Sequence, residues 1–300
     1  MIELTNVRGP GALAPPLPIP YLVRLSSPTM ESARKVTLQT QVRNWVEART
    51  VKHGDLLLAN SVASLESCAH HYALPDLPWR LVPYGLPDIP ADALFPSHSE
   101  IQIVTIGRAE FRKGTDILIR ALADVMPKCP NLRYVSIGSD MEAFTKGFPE
   151  VRGLWLNLNK AFGDRITTLG KVDDSEKQAA LRRSHWALIP SRFESFGQVV
   201  IEAMRAGTPV IASSGGGLPE VCGRGPHNII YGPPADSANL ASALLRLSEL
   251  GPEHALSLRP ATRAAYESCY RDDPFVEATL DAYRSAIHEK NKRASKHTAG

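Results

Sequence analysis

Short apolar segments alternate with helical segments through the middle of the chain, and this alternation restricts the fold more than any other feature. The apolar segments have the length and side chains of buried strands, and the segments between them show helical spacing of apolar residues. Strands that alternate with helices form a parallel sheet covered by helices on both faces. The sequence therefore predicts an α/β fold with a doubly wound parallel sheet. The predicted strands are 101–106, 134–137, 166–169, 186–190 and 208–212, and the predicted helices between them are 116–126, 154–162, 174–184 and 198–205.

The chain before this alternation is predicted to form a smaller, incomplete α/β domain over residues 1–95. Residues 9–20 hold five prolines and are predicted to be irregular. Three strands are predicted in this region, at 21–25, 55–59 and 80–83, which are too few for a complete domain of this kind. Because missing strands leave unpaired sheet edges, we expect association with a second copy or a partner chain here. The rest of the chain is predicted to comprise a sheet domain over 96–273, a helix over 274–290 and a disordered tail over 291–300.

Glycines and cations follow several of the predicted strands. Gly107, Arg108 and Lys113 come after the first strand, and Lys171 comes after the third. Because ligands bind beyond the carboxyl ends of the strands in open parallel sheets, these residues are predicted to share one edge. Glycines that allow close backbone approach, together with cations, suit a diphosphate with attached sugars. The competing interpretation of Arg108 and Lys113 is a solvated surface pair, and residues 215–217 form either a ligand contact or a flexible turn.

Two glutamates flank the start of a short apolar helix. Glu202 lies within this helix, which is predicted to be buried, and a buried carboxylate needs a partner. A vicinal diol such as a ribose offers two hydroxyl donors to one carboxylate. The competing partners are Arg205 and the backbone of a loop. Glu194 precedes the helix, where the N–H groups of Phe196 and Gly197 are positioned to meet an anion or a sugar hydroxyl. The competing interpretation of Glu194 is an exposed loop charge.

Composition and charge exclude several other functions. The chain is 43% hydrophobic and 22% charged, as globular proteins are, and its formal net charge is +3. Without a basic run interleaved with aromatic residues, nucleic-acid binding is not expected. The four cysteines lie far apart without metal-ligand spacing, so we expect neither a disulfide framework nor a metal site. The same cysteine usage predicts that the chain resides in a reducing cytoplasm. No signal peptide or long apolar run is present, which predicts no membrane span and leaves peripheral membrane contact open.

Three ordered motifs together resemble the nucleotide-binding half of the retaining GT-B glycosyltransferases of the fourth sequence family, the glycosyl transferases group 1. The resemblance runs from residue 82 to residue 283 and includes a last helix, FVEATLDAYRSAI. It implies a GT-B fold and transfer of a hexosyl group from a nucleoside-diphosphate-sugar to an acceptor with retained configuration, without a metal ion. The acceptor is unknown. The motifs are IVTIGRAEFRKGTDILIRAL, ITTLGKV and SRFESFGQVVIEAMRAGTPVIASSGGGLPEV.

The resemblance also implies roles for individual residues. In that family the arginine and lysine of the GR…KG motif bind the donor diphosphate, which implies this role for Arg108 and Lys113. The first glutamate of the E-x7-E motif contacts the donor sugar and the second the ribose, which implies these roles for Glu194 and Glu202. The other residues implied in donor binding are Gly107 near the diphosphate, Lys171 and Val172 near the base, and the backbone of Phe196, Gly197 and Gln198 near sugar and phosphate.

The first hundred residues depart from the family pattern. They contain neither its glycine-rich loop near the start nor its donor-side histidine, and His53 lies on the wrong segment to replace that histidine. The chain is similar to a shortened member, so we expect donor binding to survive without turnover. A glycosyltransferase is the leading interpretation. The alternatives are a non-catalytic sugar-nucleotide-binding fragment or one half of a split glycosyltransferase, and a different GT-B enzyme, which the segment SRFESFGQVVIEA disfavours.

Overall fold

A computed structural model describes residues 1–13, 19–74, 77–89, 96, 98–138, 140–223 and 227–298, with side chains as far as residue 291. Residues 14–18, inside the stretch predicted to be irregular, lie outside the described residues. The strands are β1 (Ile2–Thr5), β2 (Tyr21–Arg24), β3 (Leu56–Ala59), β4 (Trp79–Leu81), β5 (Ile101–Ile106), β6 (Leu132–Ile137), β7 (Ile166–Gly170), β8 (Trp186–Ile189), β9 (Val210–Ala212) and β10 (Ile229–Ile230). The helices are α1 (Thr29–Ser32), α2 (Leu38–Lys52), α3 (Val62–Tyr72), α4 (Thr115–Val125), α5 (Met141–Lys146), α6 (Pro149–Phe162), α7 (Asp174–Arg183), α8 (Gln198–Arg205), α9 (Leu218–Cys222), α10 (Ser237–Cys269) and α11 (Asp272–Thr298), with a 3₁₀ turn at Gly163–Arg165.

The chain divides into two compact units. The small unit comprises Met1–Pro87, Phe193–Phe196 and Tyr270–Gly300. The large unit comprises Asp88–Arg192 and Gly197–Cys269. Each unit contains its own parallel sheet.

The sheet of the large unit has the strand order β10-β9-β8-β5-β6-β7, with every neighbouring pair parallel. The chain builds outward from β5 through β6 and β7 on one side, and then through β8, β9 and β10 on the other. Apolar side chains of α4, including Ile117, Ile119 and Leu122, are buried in the main core together with strand residues such as Ile103 and Leu188. The predicted α/β fold with a parallel sheet is confirmed.

The sheet of the small unit has the strand order β1-β2-β3-β4, again with all pairs parallel. The sequence predicted three of these strands and missed β1. This strand is short, its residues are alternately half-buried and exposed, and among the described strands it pairs with β2 only. It therefore lacks the continuous apolar run of a central strand. Helix α2 begins at Leu38, where Thr37 forms a capping box with Thr40.

Two long helices end the chain. Helix α10 is kinked at Gly251, which has a φ of 77°, and so joins two helical segments. Helix α11 lies in the small unit, where Ala282 and Ala286 pack against Leu22 and Leu58 of its sheet. It continues to Thr298, through most of the segment predicted to be a disordered tail. Residues 299 and 300 lie outside the described part of the chain.

Candidate functional site

The strand order of the large unit reverses between β5 and β8, and this switch point marks the expected ligand crevice of an open parallel sheet. A narrow pocket lies here, which we call the switch-point pocket. Gly107 and Arg108 follow β5, Pro190 and Ser191 follow β8, and all four line it. The strand order therefore brings together loops that are far apart in the sequence. The pocket is also lined by Lys113, Thr115, Met141 and Val199.

The loop after β5 is fixed against the loop after β8 by a glycine. Gly114 has a φ of 69° and lies at the N-terminus of α4. A Cβ atom added at Gly114 would lie 1.9 Å from the carbonyl oxygen of Pro190. The two loops therefore approach as closely as they do only because residue 114 has no side chain. This contact places the neighbouring Lys113 on the pocket.

An arginine that the sequence analysis left without a role joins the same two loops. Arg192 donates from Nη1 and Nη2 to Oδ1 and Oδ2 of Asp116, over 2.6 and 2.7 Å. Its guanidinium carbon also lies 3.6 Å from the centre of the Phe111 ring. The arginine stands beside the motif glutamate in SRFES, but nothing in the sequence indicates its distant partner. Asp116 lies in the first turn of α4, so this ion pair holds the helix that follows the Lys113 loop.

The two predicted diphosphate-binding cations both line the switch-point pocket. The side chain of Arg108 is 80% exposed, and its Nη2 atom lies 2.7 Å from Oε1 of Glu110. Lys113 is half-buried. The structure thus places Gly107, Arg108 and Lys113 at one edge of the sheet, as predicted.

The first turn of α8 lies at the same pocket, through Val199. Gly197 begins the helix with a φ of 95°, and no side chain caps the first turn. A Cβ atom at Gly197 would lie 2.8 Å from Cδ2 of Leu218, so glycine is needed here for space as well as for conformation. Gln198 is exposed in this first turn, and Val199 lines the pocket. Helix N-termini carry unsatisfied N–H groups and partial positive charge, which favour a bound anion.

Glu202 lies one turn after Val199 on α8, so both side chains are on one face of the helix. Its Oε1 atom accepts a hydrogen bond of 2.9 Å from Nζ of Lys177 on α7. The side chain is 17% exposed, so the predicted burial of Glu202 is partial. Its partner in the structure is Lys177, and not the predicted local alternative Arg205.

Lys177 is a functional candidate that the sequence analysis missed. Besides Glu202 it contacts Asp174, with Nζ 2.6 Å from Oδ1. Burial acts to lower the pKa of Lys177, but hydrogen bonds and charge from Asp174 and Glu202 outweigh it and raise the pKa above its ordinary value. Lys177 therefore remains a cation next to the glutamate.

Glu194 is buried, with 8% of its surface exposed, so it is not the exposed loop charge of the competing interpretation. It lies on Phe193–Phe196, which belongs to the small unit. There Ser61 donates a hydrogen bond to the carbonyl of Ser195. The ring of Phe196 packs edge-on against Tyr84 and Tyr270, at 5.4 and 6.2 Å between ring centres. The Phe196 side chain therefore holds this segment in place.

A larger pocket of about 600 Å³ lies beyond the carboxyl ends of β6 and β7 in the large unit. It shares Met141 with the switch-point pocket, and Lys171 lines it. Val172 is half-buried and is not part of its lining. The volume suits a small organic ligand. The residues lining it are Gly138, Asp140, Met141, Glu142, Trp155, Asn159, Thr168, Gly170 and Lys171.

The sequence allowed two interpretations of residues 215–217, a flexible turn or a ligand contact. In the structure, Gly215 has a packing role. A Cβ atom there would lie 2.5 Å from the carbonyl oxygen of Arg192 and 2.7 Å from that of Ser191.

Within the described residues, no three His, Cys, Asp or Glu side chains are grouped so as to hold a metal ion. No described helix combines the length and apolar character that a membrane span requires.

Residues 100–249, half of the chain, match the family model described as glycosyl transferases group 1. The chain belongs to this family. Its sequence is 27% identical over 271 residues to D-inositol 3-phosphate glycosyltransferase of Corynebacterium glutamicum, with 82% of this chain and 63% of the relative covered. It is 30% identical over 201 residues to glycogen synthase of Mycobacterium tuberculosis, with 66% of this chain and 45% of the relative covered. The chain thus spans less than two thirds of the length of these curated relatives.

Solved structures show the same fold. Sucrose-phosphate synthase of Thermosynechococcus elongatus has a TM-score of 0.72 at 24% identity, with 90% of this chain and 68% of that chain covered. The Anabaena protein HepE, solved in complex with UDP, has a TM-score of 0.69 at 18% identity, with 89% of this chain and 72% of that chain covered. The predicted GT-B fold class is confirmed.

Proposed function

We propose that this chain binds a nucleoside-diphosphate-sugar and serves as a glycosyltransferase that transfers the sugar to an acceptor with retained configuration. One observation carries the proposal: two cations and the N-terminus of α8 meet at the switch-point pocket of a group 1 family member. Cations and a helix N-terminus are the groups that bind a diphosphate.

The diphosphate is assigned to the switch-point pocket. As the sugar leaves, negative charge develops on the departing diphosphate, and Arg108, Lys113 and the first turn of α8 are placed to stabilise it. The backbone that carries Lys113 is fixed before the reaction by Gly114 and by the Arg192–Asp116 ion pair, which lowers the cost of reorganisation. We propose that this charge is met without a metal ion.

The nucleoside is assigned to the region between α8 and the larger pocket. Glu202 follows Val199 on the pocket face of α8 and offers a carboxylate to the ribose hydroxyls. The larger pocket, with Lys171 at its rim, has room for the base. The UDP complex of HepE, which shares the fold, supports a nucleotide as the ligand. For Glu194 we propose the role that the resemblance implies, contact with the donor sugar.

Titration calorimetry with UDP, GDP and ADP tests donor binding. We expect at least one of them to bind, and Glu202→Ala to weaken that binding roughly ten- to hundred-fold through loss of charge-assisted hydrogen bonds. Lys128→Ala is a matched control, because Lys128 forms an exposed pair with Asp124 on α4. No binding of any of the three nucleotides by the wild-type chain would overturn the proposal.

Transfer is tested separately from binding. The chain is incubated with UDP-, GDP- and ADP-sugars, and early sugar release is followed by proton NMR, which distinguishes the two anomers. Any sugar that is released should keep the configuration of the donor. Release of the opposite anomer would contradict retention, and binding without any release would limit the chain to a donor-binding role.

A further inference from the structure

We infer that Lys177 is a positioning residue for nucleotide binding: it holds the Glu202 carboxylate in the orientation that accepts both ribose hydroxyls, and so gives the site its preference for ribonucleotides. The inference rests on the proposed function, because it concerns the nucleoside end of the same ligand. It extends that function to a residue outside the family motifs.

The contact is specific to one carboxylate oxygen. Lys177 donates to Oε1 of Glu202 over 2.9 Å, and among the described residues Lys177 is its hydrogen-bond partner. The Oε2 atom, and the remaining lone pair of Oε1, are left for other donors. The two side chains are 19% and 17% exposed, so the ion pair is partly shielded from water while a ligand can still reach it.

Lys177 has a second carboxylate partner, on its own helix. Its ammonium also lies 2.6 Å from Oδ1 of Asp174, one turn earlier on α7. A lysine held by a carboxylate on its own helix presents its second hydrogen bond from a defined place. The contact with Glu202 therefore restrains the last torsion angles of the glutamate, which otherwise rotate freely.

This restraint has a consequence for recognition. Two adjacent hydroxyls require a carboxylate whose plane faces them both, and a carboxylate already held in that plane loses less entropy when it binds. A 2′-deoxynucleotide offers one of the two hydroxyls and forfeits one charge-assisted hydrogen bond. Lys177 should therefore matter more for a ribonucleotide than for its deoxy counterpart. A lysine that contacted the phosphates directly would matter equally for both.

The test measures dissociation constants by calorimetry for UDP, GDP and ADP and for their 2′-deoxy forms. The pair whose ribonucleotide binds the wild-type chain most tightly is then used for the variants. We expect the wild-type chain to prefer the ribonucleotide by roughly ten-fold or more. Lys177→Met should reduce this preference to about three-fold or less, since the carboxylate is no longer held. Lys177→Arg should retain most of it, because arginine can keep the ion pair.

Two further variants separate positioning from folding and from phosphate binding. Lys128→Met removes a lysine that forms an exposed pair with Asp124 of α4, and it should leave the preference unchanged. In the background of Glu202→Gln, Lys177→Met should cause no further loss of preference, because its effect passes through Glu202. Circular dichroism checks that each variant is folded. If Lys177→Met does not fold, the ribonucleotide preference is measured on Lys177→Arg instead.

The outcomes are distinct. A preference that collapses in Lys177→Met and survives in Lys177→Arg supports the inference. An unchanged preference in folded Lys177→Met, or an equal loss of affinity for both nucleotides, overturns the inference while leaving the proposed function intact. No binding of any nucleotide by the wild-type chain overturns the proposed function and the inference together.

Discussion

Arg192 and Asp116 are 76 residues apart in the sequence and form a two-armed ion pair in the large unit, with nitrogen–oxygen distances of 2.6 and 2.7 Å. The pair joins the loop after β8 to the first turn of α4. The Arg192 guanidinium donates a third hydrogen bond, 2.6 Å long, to the carbonyl oxygen of Phe111. The backbone leading to Lys113 is therefore held at both ends, by Arg192 on one side and by Gly114 on the other.

Arg192→Met should destabilise the large unit. The change leaves Asp116, whose side chain is 10% exposed, without its cation and removes the stacking on Phe111. We expect the free energy of unfolding to fall by about 2–4 kcal/mol, as for a mostly buried pair that loses one partner. Urea unfolding followed by circular dichroism measures the change. The exposed control Lys128→Met should change it by about 0.5 kcal/mol or less, and equal effects of the two variants would contradict the role of Arg192.

Gly114→Ala should be more damaging than a glycine substitution elsewhere in the same unit. Its φ of 69° and the 1.9 Å approach to Pro190 leave no room for a Cβ atom, so we expect a loss of about 3 kcal/mol or more and weaker nucleotide binding. Gly153→Ala is the matched control, since Gly153 lies within α6 with nothing within 4 Å of an added Cβ. That variant should gain about 0.5–1 kcal/mol from helix propensity. Thermal unfolding of both variants shows whether the signs differ as expected.

Lys113→Ala should weaken binding of a diphosphate much more than binding of the corresponding nucleoside. Its contribution to phosphate binding is mainly charge, so the affinity for the nucleoside diphosphate that binds most tightly should fall roughly ten-fold and that for its nucleoside less than about two-fold. Because salt screens charge, the difference between the two losses of affinity should shrink as the sodium chloride concentration is raised. Calorimetric titrations at low and high salt provide the measurement. Equal losses for the nucleoside diphosphate and its nucleoside would remove Lys113 from the diphosphate site.

The small unit should lose part of its stability in acid through Glu3. Burial acts to raise the pKa of Glu3, but hydrogen bonds from Arg24 and Tyr283 and the charge of Arg24 outweigh it and hold the pKa below its ordinary value of 4.5. A carboxyl group whose pKa is lower in the folded state stabilises the protein above the unfolded pKa. This stabilisation is lost as the pH falls through the folded pKa.

Near neutral pH, the free energy of unfolding of Glu3→Gln should therefore be about 1 kcal/mol lower than that of the wild type. This difference should disappear in acid. Hydrogen exchange in β1 and β2, followed by mass spectrometry from neutral pH to pH values below 4.5, reports on this sheet directly. Asp124→Asn, which alters an exposed pair in the large unit, should leave exchange in these strands unchanged. A difference that grew on acidification would refute the assignment.

The fold and the rim of the site could be predicted because their signals are local. Alternating apolar strands and helices specify a parallel sheet, and the residues that follow each strand must gather at its carboxyl edge. This reasoning predicted that Gly107, Arg108, Lys113 and Lys171 share one edge of the sheet. The first three line the switch-point pocket, and Lys171 lines the larger pocket. The sequence pattern did not predict β1, because a short edge strand has too weak an apolar pattern.

The partners of the charged groups depended on the tertiary structure. Lys177 and Glu202 are 25 residues apart, and Arg192 and Asp116 are 76 residues apart, so no helical or strand spacing relates them. Arg192 and Asp116 meet because the strand order reverses at β5, which makes the loop after β8 and the helix after β5 neighbours. Lys177, on the helix before β8, meets Glu202, on the helix after β8. The sequence by itself determined which residues lie at the ends of strands and helices, since periodicity and turn chemistry act over a few residues. Which of those ends face one another was decided only by the packing of the whole sheet, because long-range contacts follow from strand order and not from spacing along the chain.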